Sequence, residues 1–153
     1  SGGRKMMEEA KNAAIKLSNE LKTPKPLVLA VTVLTSLNDE DLFELNIEKS
    51  TRDQVVSLAK LAKGAGLDGV VASPLEIKDI RKAVGKDFKI VTPGVRPTWA
   101  ERKDQKRVMT PLRARQNGAN YIVVGRSITQ AQDPLKAYLQ VLDEWQRGAQ
   151  QSI

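Results

Sequence analysis

Two short segments carry the residue types best suited to gripping an anion. In Gly125-Arg126-Ser127 the glycine lets backbone approach a ligand closely, and the arginine offers a planar fork of donors that matches phosphate oxygens. The same tripeptide also makes an ordinary turn. In Thr92-Pro93-Gly94-Val95-Arg96 the proline removes a ladder donor and the glycine admits positive φ. A strand ending there leaves through a fixed bend, with Arg96 just beyond it. Leu34-Thr35-Ser36 and Ala72-Ser73-Pro74 add hydroxyls. None of the four segments holds a carboxylate or a lysine. Such a set can bind an anionic, hydrogen-bonding ligand, yet it has no acid/base pair with which to move a proton.

The rest of the inventory narrows the chemistry further. The 153 residues include no Cys and no His, which removes disulfides, thiolate nucleophiles, imidazole bases, serine triads and the usual zinc or haem ligands. The acidic run Asn38-Asp39-Glu40-Asp41 precedes Leu42-Phe43 and reads as a helix start, not as a metal site. Lys and Arg number 25 against 18 Asp and Glu, a net +7 that favours anionic partners. The basic residues are dispersed and aromatics make up only 4%, too few for base stacking, so nucleic acid is not an expected partner. The longest apolar stretch, residues 27–34, is interrupted by Thr32 and is too short for a bilayer, so no membrane association is expected. Ser1-Gly2-Gly3-Arg4 leads into Lys5-Met6-Met7-Glu8-Glu9 without a signal-peptide core, and a cytoplasmic location is expected.

These candidate residues need elements to position them. Residues 27–34, 69–72, 88–92 and 121–124 are short β-branched runs, apolar on both parities, as in strands covered on both faces. Between them lie capped helical patterns. Thr51-Arg52-Asp53-Gln54 fits a capping box, with Val55, Leu58, Ala59 and Ala62 on one face and Gly64 and Gly66 as the stop. Ser73-Pro74-Leu75-Glu76, Thr110-Pro111 and Asp133-Pro134 open further helices. The last of these places Leu135, Tyr138, Leu139, Leu142 and Trp145 on its inner face. A leading helix covers roughly residues 3–21. The order is therefore one helix, then four βα units, which means a parallel sheet with right-handed crossovers. No glycine-rich nucleotide loop follows any strand. An eight-stranded (β/α)8 barrel takes about 250 residues, so four such units are half a barrel and need a complement. In that architecture ligands sit at the carboxyl ends of the strands, where all four segments named above lie. The polar stretch 97–107, which contains Gln105, leaves one of those ends as either a lid or a plain connection.

Taken together, Leu34-Thr35-Ser36, Thr92-Pro93-Gly94-Val95-Arg96-Pro97, Asp104-Gln105 and Val124-Gly125-Arg126-Ser127-Ile128-Thr129 resemble, in order and spacing, the orotidine 5′-phosphate decarboxylase family. Ser1-Gly2-Gly3 followed by Lys5-Met6-Met7 resembles the segment after that family's fourth barrel strand. The resemblance implies that residues 1–153 are the C-terminal half of one (β/α)8 TIM-barrel domain, in an enzyme that is normally a homodimer. It implies cofactor-free and metal-free loss of CO2 from orotidine 5′-phosphate to give UMP. The Asp-Lys-Asp array that faces the carboxylate, from a D-x-K-x-x-D segment, is absent here, so no catalytic residue is expected in this chain. What the resemblance assigns instead is grip: Arg126 and the Gly125 backbone on the phosphate, and Arg96 beside them. Gln105 would bridge phosphate and pyrimidine, Thr35 and Ser36 would lie near base and ribose, and Pro93 would line the pyrimidine pocket. The expected partners are the substrate and the N-terminal half of the same barrel. Two alternatives stand beside this: another phosphosugar-binding barrel of the same superfamily, and a non-catalytic half-barrel that pairs with itself.

Overall fold

The computed structural model describes residues 2–100 and 108–150. Its elements run α1 (Gly3–Glu20), β1 (Leu29–Val31), α2 (Asp39–Glu44), α3 (Thr51–Gly64), β2 (Gly69–Val71), a 3-10 turn (Pro74–Glu76) and α4 (Ile77–Val84). β3 (Lys89–Thr92), α5 (Pro111–Gln116), β4 (Tyr121–Ile122), α6 (Arg126–Thr129) and α7 (Pro134–Gln150) complete them.

The helix starts follow local polar chemistry. The Asn38 side chain accepts the Asp41 amide while Asp41 accepts that of Asn38, so the acidic run does open a helix. The cap of α3 is Ser50, one residue before the expected Thr51. Thr51 is occupied elsewhere: its amide and hydroxyl both donate to Asp39 Oδ1, at 2.7 and 2.5 Å, which ties α3 to α2. Thr110 and Asp133 cap α5 and α7 as their sequences indicate. Ser73 accepts the Leu75 amide, but its segment makes a 3-10 turn before α4 begins.

All four strands are parallel and lie in sequential order, β1-β2-β3-β4. A doubly wound sheet would reverse direction midway; this one never does. Right-handed crossovers in an unreversed sheet put every connecting helix on the same face. Strand periodicity then separates two rows. Ala30, Val70 and Ile90 share a register and face the helices; Val70 and Ile90 are fully buried with Val55, Ala59, Ile77 and Ile80. The next row, Val31, Val71, Val91 and Tyr121, points to the other face, where Val31 is 55% and Tyr121 51% exposed. Cover on both faces, expected from the apolar runs, is therefore found on one.

Both outer strands have a helix beside their free edge. α1 is fastened next to β1 by Lys11, whose ammonium donates to Asp68 Oδ2 at 2.5 Å, while the same oxygen accepts the Val28 amide at 2.7 Å. Between α1 and β1 runs an apolar groove of about 390 Å3, lined by Met6, Met7, Leu29, Val31 and Leu61. At the opposite edge Ile122 and Val124 face Tyr138, Val141, Leu142 and Trp145 across a groove of about 270 Å3.

α7 does not bury the face its large residues suggested. Leu135, Tyr138 and Leu139 are exposed, and the stripe packed inward is Ala137, Val141, Glu144 and Gly148. α5 approaches too closely for bulk: a Cβ on Gly148 would lie 2.6 Å from the Leu112 carbonyl oxygen. Gly148 therefore takes that contact, with Trp145 half-buried alongside and the Arg115 guanidinium 4.8 Å from its ring centroid.

Candidate functional site

The two ends of the sheet differ in how their polar groups are used. At the amino ends charge is consumed internally. Arg81 donates from Nε to the Gly118 carbonyl at 3.0 Å and from Nη2 to Asn120 Oδ1 at 2.6 Å, and that oxygen also accepts the Ile90 amide. Asp68 is held between Lys11 and Val28, as described. Burial works to raise its carboxyl, but the Lys11 hydrogen bond, the Val28 amide and the Lys11 charge outweigh it and hold the carboxyl below its ordinary value.

At the carboxyl ends the four expected segments converge, because every strand points the same way. Thr35 is buried and Ser36 exposed just beyond β1. Ser73, wholly buried beyond β2, serves as a cap. Beyond β3, Pro93 is half-buried and Gly94 takes φ +72°, the bend its sequence indicated. Arg96 follows, only 9% exposed. Its backbone is clipped across the loop: the Arg96 amide donates to the Met109 carbonyl at 2.9 Å and the Met109 amide to that of Gly94 at 3.2 Å. This parallel bridge closes the base of the loop. Gln105 lies outside the described residues. Beyond β4 the chain turns at Gly125 into the single turn α6, which sequence reading had not separated from the loop. A Cβ on Gly125 would meet nothing within 4 Å, so open space lies in front of this backbone. Gly125 and Arg126 are both exposed.

One acidic residue near this end had been missed. Glu144 lies on α7 and is only 8% exposed. Burial pushes its carboxyl above the ordinary carboxylate value against the opposing Arg147 charge and the Thr98 amide, with Asp143 adding to the rise. Its one signal in the sequence is an acid within an otherwise small and apolar stripe, Ala137, Val141 and Gly148.

Residues 1–141 match the orotidine 5′-phosphate decarboxylase / HUMPS family. The chain belongs to that family. It is 53% identical over 143 residues to orotidine 5′-phosphate decarboxylase of Geobacter sp. (strain M21), covering 94% of this chain and 59% of the relative. It is 52% identical over 149 residues to that of Trichlorobacter lovleyi, covering 97% and 61% respectively. The crystal structure of orotidine 5′-phosphate decarboxylase from Lactobacillus acidophilus superposes with a TM-score of 0.76 at 42% identity, over 94% of this chain and 59% of that one. The chain thus spans about three fifths of the length of the orotidine 5′-phosphate decarboxylases it matches. As part of this family's (β/α)8 TIM-barrel fold, its four βα units account for both the unreversed strand order and the bare sheet face, since that face is the side turned inward when such a sheet closes. Within the described residues no helix is long and apolar enough to cross a membrane.

Proposed function

We propose that residues 1–153 are the C-terminal half of a single barrel domain and supply the substrate-gripping part of a cytoplasmic orotidine 5′-phosphate decarboxylase. The observation that carries this reading is the end of β4, where exposed Gly125 faces open space beside Arg126. The Gly125 backbone and Arg126 hold the phosphate there, with Arg96 contributing from the neighbouring strand end. Thr35 and Ser36 approach the base and ribose, Pro93 lines the pyrimidine pocket, and Gln105 bridges the two ends of the ligand. Binding energy taken up on the phosphate lowers a barrier located elsewhere on the substrate. The carboxylate-facing Asp and Lys groups come from the N-terminal half, and no metal or cofactor enters the reading.

Packing supports a complement of that kind over self-pairing. α1 lies beside the free edge of β1 and α7 beside that of β4. Two copies closed edge to edge would bring an α1 and an α7 to each seam. A piece that begins and ends on a strand, with three helices between, meets each edge with a single covering helix.

The test is complementation. Alone, the chain should not decarboxylate orotidine 5′-phosphate; mixed with the N-terminal half of a close relative, it should. Turnover by the isolated chain overturns the reading. In the assembled enzyme, Arg126→Ala should weaken UMP binding by about 10- to 100-fold, the scale of lost hydrogen bonds to a charged group. Activity abolished by EDTA would point instead to a metal-using phosphosugar barrel.

A further inference from the structure

We infer that Asn120, held by Arg81, is a positioning residue: it fixes the register of β4 on β3, and with it the place of the Gly125-Arg126 turn. The inference rests on the phosphate reading above and gives a role to groups at the opposite end of the sheet from the ligand.

β4 is two residues long and is the last strand of the sheet. It pairs with β3 through Val91 with Tyr121 and Thr92 with Ile122. So short a ladder offers few side chains to specify its register. A slip of one residue would carry the downstream chain about 3.3 Å along the strand and turn its side chains to the other face. Arg126 follows Ile122 by four residues and would move with it.

The register is pinned at the amino end. The Asn120 amide donates to the Ile90 carbonyl at 3.0 Å, and the Ile90 amide donates back to Asn120 Oδ1 at 2.8 Å. Both bonds form only when Asn120 stands beside Ile90. Arg81 aims that carboxamide: its Nη2 donates to Asn120 Oδ1 at 2.6 Å and to the Gly118 carbonyl at 2.7 Å, and its Nε donates to the same carbonyl at 3.0 Å. Nη1 of the same guanidinium donates to the Phe88 carbonyl, just before β3. One planar cation therefore binds the entries of both strands, and its rigid fork admits one relative placement of them. Arg81 is itself anchored, since it follows Ile80, which is buried in the core with Ile90. Gly118 permits the approach: it takes φ +102°, and a Cβ there would lie 3.2 Å from Arg81 Nε.

The consequence falls at the carboxyl ends. Arg96 arrives from β3, and Gly125 and Arg126 arrive from β4. For a phosphate gripped by both arginines, their spacing depends on how β4 is registered against β3. Misplacing a binding group by about 1 Å is already costly.

The experiment uses the enzyme assembled from this chain and its N-terminal complement, with UMP and uridine binding measured by calorimetry. Asn120→Ala should weaken UMP binding about tenfold, the scale of one hydrogen bond to a charged group. Uridine, which lacks the phosphate, should bind within about twofold of the parent. Asn120→Asp retains an oxygen for the Ile90 amide and the guanidinium, and should also stay within about twofold for UMP. In an Arg126→Ala background, Asn120→Ala should cost less than about twofold, because the group it places is gone. A purely structural defect would cost the same factor in both backgrounds. Should Asn120→Ala prevent assembly, Arg81→Lys, which keeps the charge and loses the fork, carries the same comparisons. The proposal fails if Asn120→Ala leaves UMP affinity unchanged, if UMP and uridine lose equally, or if Asn120→Asp is as impaired as Asn120→Ala. Arg126→Ala alone is measured in parallel: unchanged UMP affinity there overturns the phosphate reading itself. A large Arg126 effect beside an Asn120 effect that persists without Arg126 overturns the positioning role alone.

Discussion

The two faces of the sheet carry the same kinds of residue and live in different surroundings. On one, Ala30, Val70 and Ile90 meet α3 and α4, and Ile90 has no accessible surface at all. On the other, Val31, Val71, Val91 and Tyr121 form an equally apolar row, exposed at both of its ends. Contiguous apolar surface of this kind marks an interaction site. Side-chain type is therefore no guide to which row is buried in the 153-residue chain and which stays exposed at its ends.

That contrast can be broken by substitution. Ile90→Ala should cost this chain about 2–5 kcal/mol, because it opens a cavity in a packed core; urea unfolding followed by circular dichroism measures it. The edge latch comes next. Asp68→Asn removes the charged partner of Lys11 beside β1 and should cost about 1.5–3 kcal/mol at neutral pH. Its pH signature has a definite sign. Asp68 titrates lower in the folded chain than its ordinary 3.8, so its contribution is present above that value and fades as pH falls through it. Glu144 runs the other way: its carboxyl is raised above the ordinary 4.5, so its contribution is present below that value and lost as pH rises. Unfolding free energy followed from pH 7 toward about pH 3 should thus drop less in Asp68→Asn than in the parent. Gly148→Ala, which forces α5 and α7 apart, should cost about 1–3 kcal/mol. The smallest effect sharpens the comparison most. Val31→Thr, on the bare face, should shift the stability of the isolated chain by no more than about 0.5 kcal/mol. The same change should cost more once the N-terminal half is added, because the residue then becomes interior. A large penalty in the isolated chain would mean that this face is already covered.

Much of the local geometry at the strand and helix ends was legible residue by residue. Gly94 takes the positive φ that its Pro-Gly context required, and the acidic run at Asn38 is a capped helix start. Gly125 and Arg126 stand at the end of a strand, as their place in the pattern indicated. What failed were inferences that needed a neighbour. Thr51 looks like a cap and is instead the first residue of α3, because Asp39 is near enough to take its hydroxyl. Leu135, Tyr138 and Leu139 look like an inner face, yet they stay exposed, while the closest contact with α5 is made by Gly148. Glu144 gave little local sign of its burial, since α5, which packs on α7, is distant in the chain.

The amino-acid order alone determined the alternation of strand and helix, their polar caps, and the gathering of hydroxyls, glycines and two arginines at strand ends. These follow from period, cap and turn chemistry acting over a few residues. Tertiary structure decided which apolar row is buried, how near α5 and α7 approach, and that Glu144 is buried. Each of those depends on contacts between segments far apart in sequence, and such contacts exist only once the sheet has set the distances between them.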